Sequence, residues 1–312
     1  MNLLAPEFQD ENAARSYLER LRWPEGPACP HCGGMKAYKI TPKKEGTKTR
    51  KGLYKCGDCR KQYTVTVGTI FHRSKVPLNK WLLAAYLIAS SKKGFAAHQL
   101  HRSIDVQYKT AWFMMHRLRE AMKAPECQEQ LGGEGKVVEA DEMYWGNSRS
   151  KDIKPVRGGS HKEKIFALVE RGGDVRSFHV ASVTADTLMP ILKEHVDSSS
   201  RVDTDEARVY SKVGDEFAGG HETVCHSAAE YVRYLEDGDF VTSNTAEGVF
   251  SLLRRGLSGI YHHVAPIHLH RYLAEFDFRY NRRGIDDAER VDQLLKAAEG
   301  RRLMYCQSAN VT

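Results

Sequence analysis

Two cysteine pairs with the same internal spacing constrain this 312-residue chain more than any other feature. Cys29 and Cys32 lie in CPHCG, Cys56 and Cys59 lie in CGDC, and 23 residues separate the pairs. Two such pairs bring four thiolates to one zinc ion, and four sulfur ligands close the coordination sphere, which is typical of a structural site. The sequence therefore predicts a zinc ribbon over residues 27–72 that depends on its metal to fold.

Two alternatives to this ligand set stay open. His31 lies inside the first pair and could replace a cysteine as ligand. A single CxxC pair can also carry redox chemistry, but that use needs a βαβ context, whereas the flanking AYKI, GLYKC and QYTVT resemble short strands. The other cysteines, Cys127, Cys225 and Cys306, are scattered. Because the count is odd and no signal peptide is recognisable, we expect no disulfide framework.

The basic residues are concentrated in one segment. The chain has a net charge of +7, and ten basic but only two acidic residues lie between Met35 and Gln62. Such a segment suits a phosphate backbone, although a solubilising loop is an alternative. The candidates for DNA contact in its central loop are Lys43, Lys44, Lys48 and Lys51. No run of 18 apolar residues occurs, so we expect no membrane span and a cytoplasmic protein.

A helical pattern precedes and follows the ribbon. We expect an N-terminal helix within residues 1–26 and a helical module over 73–128. In the module, PLNKWLLAAYLIASS has an apolar stripe of helical spacing, and a short helix, a tight turn and a longer helix follow. This outline predicts a helix-turn-helix in which the last helix, with Lys109 and Arg117, enters the major groove. An ordinary three-helix bundle is the alternative.

After the linker QEQLGGEG, the residue pattern changes from helical spacing to strand-like segments. KVVEADEMYWG, KIFALVE and VRSFHVASV indicate strands, and RGGD joins the last two as a hairpin. A helix over 184–196 and the strand SRVDTDEARVY follow. Strands alternating with helices predict an α/β domain over 136–284, and residues 285–312 indicate a final helix and a tail.

Three acidic residues of this domain are candidates for one site. Asp141 lies in the first strand, where a buried carboxylate needs a metal or a partner, Asp205 ends a later strand, and Glu247 lies in SNTAEGVFSLLRRGL. On a helix, Glu247 and Arg254 share one edge, so that one faces a metal and the other phosphate. Such carboxylates hold two magnesium ions during in-line phosphoryl displacement.

Residue spacing alone leaves other assignments of these acids open. Asn244 and Glu247 also fit a capping box, with Asn244 at the N-cap. The acids that flank the candidates are Glu139, Glu142, Asp203 and Glu206.

The chain resembles the zinc-ribbon DDE transposases of bacterial insertion sequences over about residues 12 to 284. The resemblance is carried, in order, by CPHCG, YKCGDCRKQYTVTVGTIF, YKTAWFMMHRLREAM, VEADEMYWG, VDTDEARVY, SNTAEGVFSLLRRGLSGIYHHV and HLHRYLAEFDFRYNRR. It implies an α/β catalytic domain with an RNase H-like integrase fold, catalytic Mg or Mn, terminal inverted repeats as substrate, and a homo-oligomer that pairs two DNA ends.

The resemblance also assigns individual residues. Asp141 in EADE matches the family's first aspartate, and Thr204-Asp205 matches its Thr-Asp, which favours Asp205 over Asp203. The third position uses Asn, Glu or both in similar members, and here Asn244 and Glu247 are both present. The basic residue that follows is an arginine here, Arg254 or Arg255, which can hold phosphate with two donors. Further along, Arg279 and Arg282 belong to a basic patch suited to phosphate.

The implied reaction is hydrolysis at the element's end followed by attack of the freed 3′-OH on target DNA. Two alternatives remain. An RNase H-like nuclease shares the metal chemistry but has little use for a ribbon and a helix-turn-helix. A catalytically silent regulator derived from a transposase is expected to lose a core acid, and no such loss occurs in these motifs.

Overall fold

The computed structural model describes residues 3–41, 51–125, 129–146, 162–236 and 238–305. The chain divides into two units, one formed by Met1–Lys123 with Gly284–Thr312 and the other by Ala124–Arg283. Lys43, Lys44 and Lys48 lie outside the described residues. Among the helices that are described, none is long and apolar enough to cross a membrane.

The elements have the following bounds. The helices are α1 (Pro6–Gln9), α2 (Glu11–Arg22), α3 (Leu78–Ser90), α4 (Ala97–Ile104), α5 (Tyr108–Met122), α6 (Ala185–His195), α7 (Asn244–Gly256), α8 (Leu269–Asn281) and α9 (Asp287–Lys296). The strands are β1 (Ala37–Ile40), β2 (Leu53–Cys56), β3 (Gln62–Tyr63), β4 (Val137–Trp145), β5 (Glu163–Glu170), β6 (Val175–Val180), β7 (Arg201–Asp205), β8 (His221–Val224), β9 (Arg233–Tyr234) and β10 (Phe240–Val241).

The ribbon of the first unit is a small antiparallel sheet, β1-β2-β3. Its apolar core is a cluster of three rings: Trp23 meets Tyr54 and Tyr63 edge-on at centroid distances of 5.6 and 5.8 Å. So few apolar side chains bury little surface, and sheets of this size need further support. The dependence on metal that the sequence predicts is consistent with this small core.

Three helices follow the ribbon in the order that the sequence predicts. The expected apolar stripe of α3 is buried, including Trp81, Leu82 and Ile88. Asp105 ends α4 in the left-handed conformation, with a φ of 48°, and α5 begins three residues later. This residue makes the tight turn between the two helices.

The C-terminal segment packs within the first unit. The sequence predicted a final helix here but did not indicate which elements it packs against. In the structure, α9 buries Val291, Leu294 and Leu295 and contacts α3, α2 and α5. Beyond it, Gly300 N donates to Gly68 O at 2.9 Å, so residues distant in sequence close one core.

The second unit is built on a five-stranded sheet of order β6-β5-β4-β7-β8. The pairs β4–β5 and β5–β6 are antiparallel, whereas β4–β7 and β7–β8 are parallel. One face carries Val138 and Ala140 and packs with Leu188 and Leu192 of α6. The other carries Met143 and packs with buried residues of α7 and α8. Strand β4 is therefore central, with helices on both faces.

Helix α8 is hydrogen-bonded to the edge strand β6. The carboxylate of Asp277 accepts bonds from Ser177 N at 2.8 Å and Ser177 Oγ at 2.7 Å, and Asn281 bonds to both backbone polar groups of Val175. Burial raises the pKa of Asp277 to about 7, although the two Ser177 donors oppose the shift. A group whose pKa is raised on folding contributes stability at low pH that is lost as the pH rises through the folded value.

We therefore predict that Asp277→Asn changes the pH dependence of stability. Wild-type protein should lose thermal stability between about pH 4 and 7, because the unfolded aspartate ionises near 3.9 and the folded one near 7. The asparagine variant should lack this component and melt higher than wild type at pH 8. Exposed Asp215→Asn is the control and should follow the wild-type curve. Parallel curves for Asp277→Asn and wild type would contradict the assignment.

Candidate functional site

Four cysteine sulfurs converge in the ribbon. Cys29 Sγ lies 3.6 Å from Cys59 Sγ, Cys32 Sγ lies 3.6 Å from Cys56 Sγ, and all four lie within 4.8 Å of one another. Four sulfurs bonded to zinc at about 2.3 Å in a tetrahedron lie roughly 3.8 Å apart. The arrangement therefore fits one structural zinc ion held by the four predicted ligands.

The residues around the sulfurs define the ligand set and shift the pKa values of two of the thiols. The exposed His31 is not part of the group, so the ligand set is four cysteines. The neighbouring sulfurs raise the pKa of Cys32, whereas backbone N–H donors of Cys59 and Asp58 lower the pKa of Cys56 to about 7. A lower pKa favours the thiolate, which is the form that binds zinc.

Asp141 and Asp205 lie at the same end of two neighbouring strands. Strands β4 and β7 run parallel with Glu139 opposite Asp203, and the two candidates follow that pair by two residues each. Because side chains alternate along a strand, the candidates share a sheet face with Glu139 and Asp203. Met143 belongs to the same alternation and packs with Ala246 of α7, so this is the face that α7 covers.

Neither candidate aspartate forms an ion pair with any other described residue. Asp141 Oδ1 accepts a hydrogen bond from Glu142 N at 2.7 Å, and Asp205 Oδ1 accepts one from Ala207 N at 3.0 Å. Burial raises the pKa of Asp141 to about 8, and the nearby charges of Glu142, Asp205 and Glu247 raise it as well. The site therefore concentrates negative charge, which a cation would offset.

The spacing of these carboxylates is wider than that of the zinc ligands. Within the described ranges, only the four cysteines place three or more ligand atoms within 4.8 Å of one another. At least one distance among the carboxylate oxygens of Asp141, Asp205 and Glu247 therefore exceeds 4.8 Å.

The flanking acids of the two strands have cationic partners. Asp203 Oδ2 accepts a bond from Arg171 at 2.9 Å, and its Oδ1 accepts one from Arg201 at 2.9 Å. Arg171 also lies 3.3 Å from Glu139. Burial nevertheless raises the pKa of both acids, so their ionised forms depend on these arginines. Ion pairing with arginine therefore separates Glu139 and Asp203 from Asp141, which spacing in the sequence could not do.

Glu139 also caps α7. Its Oε2 accepts bonds from the backbone N–H groups of Thr245 and Ala246 at 2.8 and 3.0 Å, and its Oε1 accepts one from Thr245 Oγ1 at 2.7 Å. A carboxylate at this end satisfies free helix donors and complements the helix dipole. The capping-box alternative is wrong, because Ser243 is the N-cap and Asn244 is the first residue of the helix.

Helix α7 presents a polar edge beside the aspartates. Asn244, Glu247, Ser251 and Arg254 are exposed, whereas Ala246, Val249, Phe250 and Leu253 are buried. The Glu247 side chain is 51% exposed, and its Oε1 lies 3.8 Å from Nε2 of His226. The same His226 nitrogen lies 3.0 Å from Ser243 Oγ. The predicted separation of an apolar and a polar face on this helix is therefore confirmed.

The other flanking acids make local hydrogen bonds. Glu142 Oε2 accepts a bond from Tyr210 OH at 2.6 Å, and Tyr210 belongs to the core on the opposite sheet face. Glu206 accepts from Ser227 N at 3.1 Å. Both acids thus have neighbours that account for their positions.

The candidate DNA contacts differ in accessibility. Lys51, Lys109, Arg254 and Arg255 are exposed. Arg117 is only 5% exposed. Arg279 is 7% exposed and pairs with Glu275, and Arg282 lies over the Phe278 ring at 4.1 Å. Part of the expected basic surface is therefore engaged inside the protein.

The sequence analysis missed Arg171, Arg201 and His226. Arg171 lies in the RGGD hairpin, and Arg201 opens the strand that ends at Asp205. Arg201 contacts Asp203 within β7 itself, and this spacing of two residues on one strand face is a local signal that was not used. Arg171 reaches Glu139 through the antiparallel pairing of β4 with β5 and reaches Asp203 through the parallel pairing of β4 with β7, so no local signal identified it.

Comparisons with known proteins agree with this architecture. Residues 9–62 match the transposase zinc-ribbon domain, and residues 130–281 match the ISXO2-like transposase domain. A relative described as an uncharacterized protein in transposable element ISH50 of Halobacterium salinarum is 31% identical over 286 residues, covering 87% of this chain and 91% of the relative. These matches define the class as transposases with a zinc ribbon, and the chain belongs to the ISXO2-like transposase family.

A solved structure shows a weaker similarity. The simian T-cell lymphotropic virus intasome in complex with PP2A regulatory subunit B56 gamma contains a chain 14% identical to this one. The alignment covers 57% of this chain and 63% of that chain, with a TM-score of 0.27. A score this low does not define a shared fold.

The zinc centre gives a direct prediction. Purified protein should contain about one zinc ion per chain, because four sulfur ligands fill one coordination sphere. Cys29→Ser should lose the metal and lower the melting temperature, since the ribbon has little core of its own. Cys225→Ser, which changes a cysteine outside the group, should keep both. Elemental analysis of protein prepared without chelator checks this, and absence of zinc would refute it.

A second prediction separates the structural acid from the candidate catalytic one. Glu139→Gln should destabilise the protein by on the order of 3 kcal/mol, because it removes the charge from a buried, paired carboxylate. Asp141→Asn should leave metal-free protein equally stable or more stable above pH 8, since it removes a carboxyl whose pKa is raised on folding. Chemical denaturation measures both, and the reverse order of stabilities would contradict the two roles.

Proposed function

We propose that the chain is a metal-dependent DNA transposase that binds the terminal inverted repeats of an insertion sequence, cleaves strands there and joins the freed 3′-OH to target DNA. The observation that best supports this proposal is the pair Asp141 and Asp205. These aspartates lie on adjacent parallel strands and have no cationic partners among the described residues. The charges of Asp205 and Glu247 both raise the pKa of Asp141, which supports one shared site for the three acids.

These residues suit a hard divalent ion. Asp141 and Asp205 would hold Mg or Mn through carboxylate oxygens, and Glu247 would supply a third carboxylate from α7. When bound, the ions would activate the attacking oxygen and stabilise the leaving oxygen. Binding would favour ionisation of Asp141 against its raised pKa, so metal affinity should increase with pH. Asn244 lies one helical turn before Glu247 and offers a neutral amide oxygen as a helper.

The fold supports an RNase H-like assignment of the second unit. The resemblance implies an α/β catalytic domain of that class, and the observed mixed sheet has β4 at its centre and helices on both faces. The first aspartate lies on this central strand, and the second lies on its parallel neighbour.

DNA would be bound by both units. In the first, the candidates are Lys43, Lys44, Lys48 and Lys51 of the ribbon loop together with α4 and α5 as a helix-turn-helix that presents Lys109. In the second, Arg254 and Arg255 lie beyond Glu247 on α7 and suit phosphate, whereas Arg279 and Arg282 require rearrangement to reach it. Pairing of two ends would need a homo-oligomer, and the protein would act at the bacterial nucleoid.

The proposal is tested by strand cleavage. Wild-type protein should cleave labelled element ends with Mg or Mn, and Asp141→Asn should bind the same DNA but cleave only at background level. Binding without cleavage by wild type would favour the silent regulator. Cleavage irrespective of the end sequence, without joining to target, would favour a nuclease.

The third ligand needs its own comparison. Glu247→Gln should abolish cleavage with little change in stability, because its side chain is half exposed. Asn244→Ala should retain measurable cleavage and cost less than about 0.5 kcal/mol, since its side chain is exposed and the N-cap is Ser243. The opposite result, with Asn244→Ala inactive and Glu247→Gln active, would assign Asn244 as the third ligand. Thermal melting of both variants controls for folding.

A further inference from the structure

A cavity of about 460 Å³ lies at the start of α5 in the first unit. Arg117 lines it together with the aromatic ring of Trp81, and Arg73 and Lys75 lie at its exposed rim. Gln107, the N-cap of α5, and Thr110 in its first turn also line it, and the cap makes no side-chain hydrogen bond. The described lining residues include three cations and no acid.

Arg117 is a buried cation without a counter-charge in the described part of the chain. Its side chain is 5% exposed, one terminal nitrogen donates to His72 O at 2.9 Å, and Nε is buried without a hydrogen-bond partner there. Burial and, to a smaller extent, the charge of the neighbouring Arg302 lower the pKa of Arg117 to about 10. The electrostatic surroundings therefore add positive charge instead of offsetting it.

The contacts that Arg117 makes do not balance this cost. The guanidinium carbon lies 5.4 Å from the centre of the Trp81 ring and 5.7 Å from that of Phe113. Cation–π contacts are weaker than the cost of removing an ion from water, so two of them leave most of that cost unbalanced. An anion in the cavity would supply the missing partner.

We propose that this cavity is a binding site for a phosphate group, and that its occupant is a phosphodiester of the DNA backbone. Three cations around one cavity match an oxyanion with several acceptor oxygens, and guanidinium groups bind phosphate with two donors. The N-terminus of α5 adds backbone N–H donors and the positive end of its dipole. The assignment to DNA rests on the proposed function, while the anion site itself does not.

The first experiment uses inorganic phosphate and the zinc-loaded full chain. Phosphate should raise the melting temperature of wild type above that in chloride of equal ionic strength. The effect should be lost in the rim variant Arg73→Ala/Lys75→Ala and kept in Lys92→Ala/Lys93→Ala, which removes two exposed lysines that do not line the cavity. Arg117→Gln should lose it as well, and the rim variant decides the matter if Arg117→Gln does not fold. Equal shifts in all proteins would overturn the site.

The second experiment distinguishes backbone phosphate from free phosphate. In the cleavage-deficient Asp141→Asn background, the rim variant should reduce the slope of log affinity for DNA against log salt by about 1, the loss expected for one phosphate contact. The paired-lysine variant should leave the slope unchanged. Phosphate stabilisation with an unchanged slope would overturn the DNA assignment. A wild type that never cleaves would refute the proposed transposase chemistry without altering either result.

Discussion

Glu139 and Asp203 are buried carboxylates on neighbouring strands, and the arrangement of the second unit depends on how their charges are balanced. Arg171 contacts both acids, Arg201 contacts Asp203, and the amides at the start of α7 donate to Glu139. This network fixes the first turn of α7 against the centre of the sheet. Glu247 lies on the first turn of that helix, so its position relative to Asp141 and Asp205 follows from a salt-bridge network that touches none of them directly.

The same network distinguishes the surroundings of Glu139 from those of Asp141 on the same strand. A buried carboxylate with cations and helix donors around it is stabilised where it is, and it has little remaining capacity to bind a metal. A carboxylate two residues further along the same strand lacks those partners among the described residues, and its pKa is raised by burial and by like charges. Metal binding would relieve that repulsion. Glu139 and Asp203 thus have their charges balanced within the strands, whereas Asp141 lies among like charges two residues further on.

The sequence predicted the chemistry of the residues better than their partners. The cysteine ligands, the order of helices in the first unit and the two-faced α7 followed from spacing, because these features are local. The role of Glu139 as a cap joins residues 106 positions apart, and the contact of Arg171 with Asp203 required the parallel pairing of β4 with β7. The packing of α9 beside α3 was equally non-local. Burial of Arg117 was not predicted because its partners, Trp81 and His72, lie far from it in the sequence.

The affinity of the zinc-loaded protein for Mn²⁺ tests most directly whether Asp141 and Asp205 form a divalent-metal site. Electron paramagnetic resonance of free Mn²⁺ reports the bound fraction without relying on turnover or DNA. We expect binding by wild type at pH 8, loss of that binding in Asp205→Asn, and retention in Glu206→Gln, which alters the adjacent acid. Equal Mn²⁺ affinity in wild type and Asp205→Asn would contradict that expectation.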